Sequence, residues 1–263
     1  MKPIIVFFLG VVMALNALAQ PRLLHEIPVE ADYIVTDNLA NVYVVSGDKL
    51  TKYDKDGTLK LTYSRKVLGD IVQLDASNPL KLLLYYRDLT QVVFLDNRLS
   101  PRGEPVSLED FDREQTTLTC TSHSSGMWLY DRFGFELTRL NQDLEVERQT
   151  GNLNQILGRQ LNPNYLFEAN SWVYLNDPAI GVLVFDIYGT YYKTIPIKGL
   201  ERFKLFDGQL YYQEGGKVFR FHLRTSDVQP VALPEGKFRM FSLAEDRLYL
   251  LTEKALKIYA RDS

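Results

Sequence analysis

The chain has 263 residues, of which 46% are hydrophobic and 24% charged, with a formal net charge of -3. That balance excludes a disordered chain and a polytopic membrane protein, and it offers no bulk positive field to attract nucleic acid. Sixteen tyrosines and fourteen phenylalanines favour strands over helices, and a single cysteine excludes an internal disulfide.

The chain opens with Lys2, an apolar run from Ile4 to Leu15, and the small-x-small box Ala17-Leu18-Ala19. This pattern predicts a cleavable signal peptide over 1–19, and hence a periplasmic or secreted protein with no transmembrane span in the mature chain. No cysteine follows the small residues, which disfavours a lipid anchor.

From residue 20 onward no segment keeps a helical period with caps. Short aromatic and β-branched runs recur instead, separated by Asp, Asn, Gly and Ser. Asn41-Val42-Tyr43-Val44-Val45 precedes Leu50-Thr51-Lys52-Tyr53-Asp54, Gln209-Leu210-Tyr211-Tyr212 precedes Val218-Phe219-Arg220-Phe221, and Arg247-Leu248-Tyr249-Leu250 precedes Leu256-Lys257-Ile258-Tyr259. Weaker copies start with Leu82, Met127 and Trp172. The six units begin near Asn38, Ser77, Ser124, Asn170, Asp207 and Glu245, about forty residues apart, the period of a four-stranded propeller blade.

A run fit for an innermost strand precedes each unit: Tyr33–Thr36, Ile71–Leu74, Leu118–Thr121, Tyr165–Glu168, Phe203–Phe206 and Arg239–Ser242. Outer strands are expected at Thr58–Tyr63, Leu144–Gln149, Thr190–Ile195 and Val228–Leu233. The last unit has none before Ser263, while a surplus run, Leu23–Pro28, precedes the first inner strand. A ring must close or leave an open edge, so the surplus strand is expected to complete the last blade. The predicted fold is all-β, a single six-bladed β-propeller over 20–263.

The first unit, Asp32-Tyr33-Ile34-Val35-Thr36-Asp37-Asn38, Asn41-Val42-Tyr43-Val44 and Leu50-Thr51-Lys52-Tyr53-Asp54-Lys55-Asp56-Gly57, resembles the NHL-type repeat, and Asp186-Ile187-Tyr188-Gly189 repeats its last part. The resemblance implies a six-bladed propeller. It leaves function open, because that family spans ligand sensors, scaffolds, RNA binders and a few metal-dependent enzymes.

Candidate chemistry is sparse. His25, His123 and His222 fall on different blades, so no zinc site or other metal site is expected from them. Asp37, Asp75, Asp207 and Asp246 follow inner strands and would ring one channel mouth; turn formation explains them, and Ca²⁺ is the cofactor they would otherwise suit. Cys120, inside Thr117–Thr121, reads as a buried, inert thiol. No nucleophile elbow, Walker loop or other catalytic motif is present, so no catalytic residue is named.

Bases gather toward the other mouth: Arg65, Lys66, Arg159, Lys198, Arg202, Lys237 and Arg239 between blades, with Arg87 and Arg132 in second-to-third strand turns. Two long connections, Asn97–Thr116 and Gln149–Asn164, are expected on that side, with helix starts near Ser107 and Leu153. The expected function is an exported, non-catalytic binding or scaffold module. It would take a protein or anionic ligand on this face through Arg87, Arg132, Arg202 and Arg239. The alternatives are a calcium-dependent hydrolase or lyase working in the channel, and a carbohydrate binder using exposed aromatics.

Overall fold

The computed structural model describes residues 21–261, so the signal-peptide segment lies outside the described residues. Its strands are β1 (Arg22–Pro28), then β2 (Tyr33–Thr36), β3 (Val42–Ser46), β4 (Lys49–Tyr53) and β5 (Leu59–Ser64). There follow β6 (Gln73–Asp75), β7 (Leu82–Tyr86), β8 (Gln91–Leu95) and β9 (Val106–Ser107), then β10 (Thr116–Thr121), β11 (Met127–Asp131), β12 (Glu136–Leu140) and β13 (Val146–Gln149). A short helix α1 (Leu153–Leu157) leads to β14 (Tyr165–Ala169), β15 (Trp172–Asp177), β16 (Gly181–Asp186) and β17 (Tyr191–Ile195). The chain ends with β18 (Phe203–Phe206), β19 (Gln209–Glu214), β20 (Lys217–His222), β21 (Val228–Pro230), β22 (Met240–Ala244), β23 (Arg247–Leu251) and β24 (Ala255–Ala260).

These strands form six antiparallel four-stranded sheets, five of them sequential and the sixth ordered β22-β23-β24-β1. The fold is therefore the expected six-bladed β-propeller, closed by its N-terminal strand. Leu23 pairs with Tyr259 and Pro28 with Ala255 across that closure. Gly57, at φ 76°, lets the first blade's outer turn sit against it, since a Cβ there would lie 3.3 Å from His25 and Ile27.

The core divides by seam. Six apolar clusters each join residues of two adjacent blades. Tyr43 packs between blades one and two, whereas Tyr53 packs between blades six and one. The register explains this: Tyr43 faces Lys52, and Tyr53 faces Val42, so aromatics ten apart point to opposite sheet faces. The recurring spacing thus supplies one ring to each seam. Trp128, Tyr43, Tyr85 and Tyr249 are fully buried this way.

Two expectations need correction. Asn97–Thr116 is not one long connection. Asp96–Ser100 is a tight turn on the opposite side, Leu95 bridges Pro101, and β9 supplies an outer strand that the sequence pattern conceals. Only 108–115 remains on the inter-blade side, carrying a single 3-10 turn over Glu109–Phe111. The second inner strand starts at Gln73 rather than Ile71, although Val72 already donates to the Tyr85 carbonyl at 3.0 Å. Gln149–Asn164 does form an inter-blade connection, with α1 capped by the Asn152 side chain accepting from Gln155 N.

Candidate functional site at the channel mouth

Antiparallel alternation puts every first-to-second strand turn, and the third-to-fourth turns of the five sequential blades, at one end. The remaining turns and all inter-blade connections lie at the other. The acids and bases singled out by sequence separate accordingly, but they are used differently.

On the hairpin side, acidic side chains shape turns. Asp37 Oδ1 accepts from Leu39 N at 2.9 Å and Asn41 N at 2.8 Å, while Oδ2 accepts from Asn41 Nδ2 and the Tyr43 hydroxyl. Asp75 accepts from Ser77 N and from both the backbone and the hydroxyl of Thr121. The same device recurs in the outer turns. Asp54, Asp96, Asn141 and Asp186 each accept from the backbone nitrogens two and four residues ahead, with positive φ at Gly57, Leu99, Leu144 and Gly189. His222 takes this role in the fifth blade, its Nδ1 accepting from Arg224 N and Thr225 N. Asp207 occupies a left-handed turn position at φ 47°, and Asp246 pairs with Arg247 at 2.6 Å.

His25 lies on β1 and His123 follows β10. Among the described residues no three His, Cys, Asp or Glu side chains converge as a metal shell. Cys120 is fully buried on β10, and burial pushes its thiol pKa well up. Sequence reading missed the group beside it. Glu168 accepts from the Trp128 indole nitrogen and the Ser122 hydroxyl, both at 2.7 Å, and from His123 N at 2.8 Å, tying the fourth blade to the third.

The central channel holds a cavity of about 410 Å³, lined by inter-blade residues and by Thr36, Asp75 and Ser77 at the hairpin ends of the inner strands. Arg202 and Arg239 line it, together with Lys198 and Lys204. The Arg202 guanidinium stands 4.1 Å over the Tyr33 ring and 5.6 Å from that of Tyr165. Arg239 pairs with Glu253 at 3.5 Å and donates to the Ala31 carbonyl. Arg87 and Arg132 stay outside this cavity. Arg87 is exposed and donates to the Thr117 carbonyl at 3.3 Å; Arg132 is exposed and its Nε reaches Gln115 Oε1 at 3.4 Å.

Lys204 is the residue that sequence reading overlooked. Within Phe203-Lys204-Leu205-Phe206 it looks like an ordinary outward lysine of an alternating strand, yet it sits on an innermost strand and points inward. Its Nζ donates to the Thr36 carbonyl at 2.8 Å, and burial lowers its pKa to about 8 against the attraction of Asp37 and Asp75. A lysine in an inner-strand run was the available signal.

No family profile matches the sequence, and no curated protein matches it. Solved structures do resemble the fold. The Pan2 WD40 domain of Neurospora crassa aligns over 92% of this chain and 95% of its own, with 10% identity and a TM-score of 0.62. Virginiamycin B lyase from Staphylococcus aureus aligns over 90% and 99%, with 11% identity and a TM-score of 0.60. BamB from Moraxella catarrhalis aligns over 92% and 100%, with 11% identity and a TM-score of 0.57. At such identity the likeness speaks for architecture alone. One of these proteins is a lyase and another a WD40 domain, so the propeller itself selects no activity. What the comparisons establish is the β-propeller architecture that the repeat pattern implied.

Proposed function

We propose that this chain is an exported, non-catalytic binding or scaffold module that takes its partner or ligand at the mouth formed by the inter-blade connections. One observation supports the reading: the channel cavity is lined by Lys198, Arg202 and Arg239 of the inter-blade connections, with Lys204 beside them. Long or adaptable connections on a rigid scaffold are the usual place for recognition. The export part rests on the leader-like pattern of 1–19, and no helix among the described residues is long and apolar enough to cross a membrane.

The test compares two faces. Wild-type protein, Arg202→Glu/Arg239→Glu and Asp207→Lys/Asp246→Lys are used as baits in native envelope extract. Loss of capture in the arginine pair alone supports the reading. Loss in the aspartate pair alone places recognition on the opposite face and overturns it.

A further inference from the structure

Arg202 and Lys204 are two residues apart at the start of β18, so their side chains leave the same side of the strand. Both reach toward the first blade, Arg202 over Tyr33 and Lys204 to the Thr36 carbonyl. Neither has a carboxylate within ion-pair distance among the described residues. The acids nearest Lys204 are committed elsewhere: Asp37 holds its own turn and the Tyr43 hydroxyl, and Asp75 holds Ser77 and Thr121. Lys204 spends one donor on Thr36 and keeps two, while the Arg202 fork is held in place by aromatic rings that take none of its charge.

The cavity is about equally polar and apolar, and its apolar wall is made by Ile34, Leu74, Phe167, Met240 and Phe241. Two cations without a direct ion-pair partner beside an apolar wall, in a cavity of about 410 Å³, suit an amphipathic anion. Asp75, Glu201 and Glu214 also line it, which keeps the positive excess small and favours a single negative charge over a dianion.

We propose that the channel cavity binds a small organic carboxylate with an apolar body, the carboxylate bridging Arg202 and Lys204 and the body lying against Phe167, Met240 and Phe241. This rests on the channel-mouth reading and names the ligand class of that site. The Arg202 fork matches a carboxylate in two parallel hydrogen bonds.

Protonation supplies an independent readout. Asp37 after β2 and Asp75 on β6 attract the Lys204 ammonium, and Tyr165 on β14, Lys198, Glu201 and Arg202 before β18, Glu214 on β19 and Arg239 before β22 share the cavity with it. With its pKa lowered to about 8, Lys204 is largely neutral at pH 9 in the empty cavity. A bound carboxylate favours the ammonium, so binding takes up a proton there and none at pH 6.5, where Lys204 is already charged.

The test is calorimetric titration of the full chain with phenylacetate, in buffers of different ionisation enthalpy at pH 6.5 and 9, with inorganic phosphate as the second probe. The expected result is saturable 1:1 phenylacetate binding with net proton uptake at pH 9 only. Arg202→Lys, which keeps the charge but loses the fork, weakens it by about tenfold. Lys204→Met abolishes the proton uptake, and Lys60→Gln on an outer strand changes nothing. Absence of phenylacetate binding, binding indifferent to both site substitutions, or phosphate binding more tightly through the same residues overturns the proposal. If phenylacetate fails while bait capture still depends on Arg202 and Arg239, the small-ligand assignment falls and the mouth reading stands. If capture is instead lost only in the aspartate pair, the mouth reading itself falls.

Discussion

The Trp128 indole nitrogen donates to Glu168 Oε2 at 2.7 Å across the seam between the third and fourth blades. Trp128 is fully buried, and the Glu168 side chain keeps only 8% of its exposure. The same carboxylate serves the Ser122 hydroxyl and His123 N, so it satisfies three donors at a point where two blades pack together. Arg139 completes the group, its Nε donating to Ser122 Oγ at 2.8 Å.

Glu168→Ala leaves a buried indole N–H without an acceptor and frees the turn after β10. Hydrogen bonds to a charged group contribute about 1.5–3 kcal/mol each. Some of that is recovered by water at the partly exposed His123, so the expected loss is about 3 kcal/mol in denaturant unfolding, with Glu168→Gln costing less. A Glu168→Ala protein as stable as wild type would show that the seam is held by apolar packing alone.

Ring closure makes a sharper demand. Six residue pairs join β1 to β24, and Ile27 packs into the cluster shared by the sixth and first blades. Removing residues 20–29 exposes the ladder edge of β24 and opens that cluster. An unpaired edge is a template for another chain, so the truncated protein is expected to aggregate and to melt at lower temperature. Size-exclusion chromatography and thermal unfolding check this; a monomer with an unchanged melting curve would refute the closure role.

The blades were legible because each needs the same alternation, so the pattern recurs about every forty residues, and the missing strand at one end matches the surplus at the other. β9 was not legible because it is two residues long and follows Pro101, Gly103 and Pro105, which break the alternation. The candidate site was only partly readable. Sequence places Arg202 and Arg239 at strand starts, and both line the cavity, but Arg87 and Arg132 share that end and remain outside it. Which cation aims into a channel depends on the stagger of blades around the ring, and spacing along one strand carries no record of that. Lys204 shows the limit: its inward position depends on β18 being innermost and on Thr36 of another blade offering a carbonyl.

The turn acids give a prediction that separates shape from charge. Asp186 Oδ1 accepts from Tyr188 N at 2.8 Å and Thr190 N at 2.9 Å, whereas Asp207 is placed by its left-handed backbone. Asp186→Ala is expected to cost about 1 kcal/mol and to speed amide exchange at Thr190, while Asp207→Asn, which tolerates the same backbone, stays near neutral. A calcium chelator is expected to leave the melting temperature unchanged, because the Asp37 and Asp75 oxygens already hold protein donors. A chelator-induced drop would mean that the acids hold a cation in solution.

Lys204 predicts how stability changes with pH. Its folded pKa is lowered from 10.5 to about 8, chiefly by burial, with Asp37 and Asp75 pulling the other way. Between those values the unfolded chain binds the proton and the folded one does not. This group's contribution to stability therefore rises with pH from 8 upward, and the cost of burying the charged form is present in full below pH 8. Converted at 1.36 kcal/mol per unit, the whole window amounts to about 3 kcal/mol, a ceiling that water in the channel reduces. Tyr33 acts oppositely above pH 10, since burial raises its pKa and the folded state then holds the extra proton. The informative interval is accordingly pH 8–10, and the informative quantity is the difference between wild type and Lys204→Met. The wild type should gain stability relative to the variant across that interval, and the two curves should run parallel from pH 6 to 7. Parallel curves throughout would mean that Lys204 keeps an ordinary lysine pKa, and would place its ammonium in open solvent rather than over the channel wall.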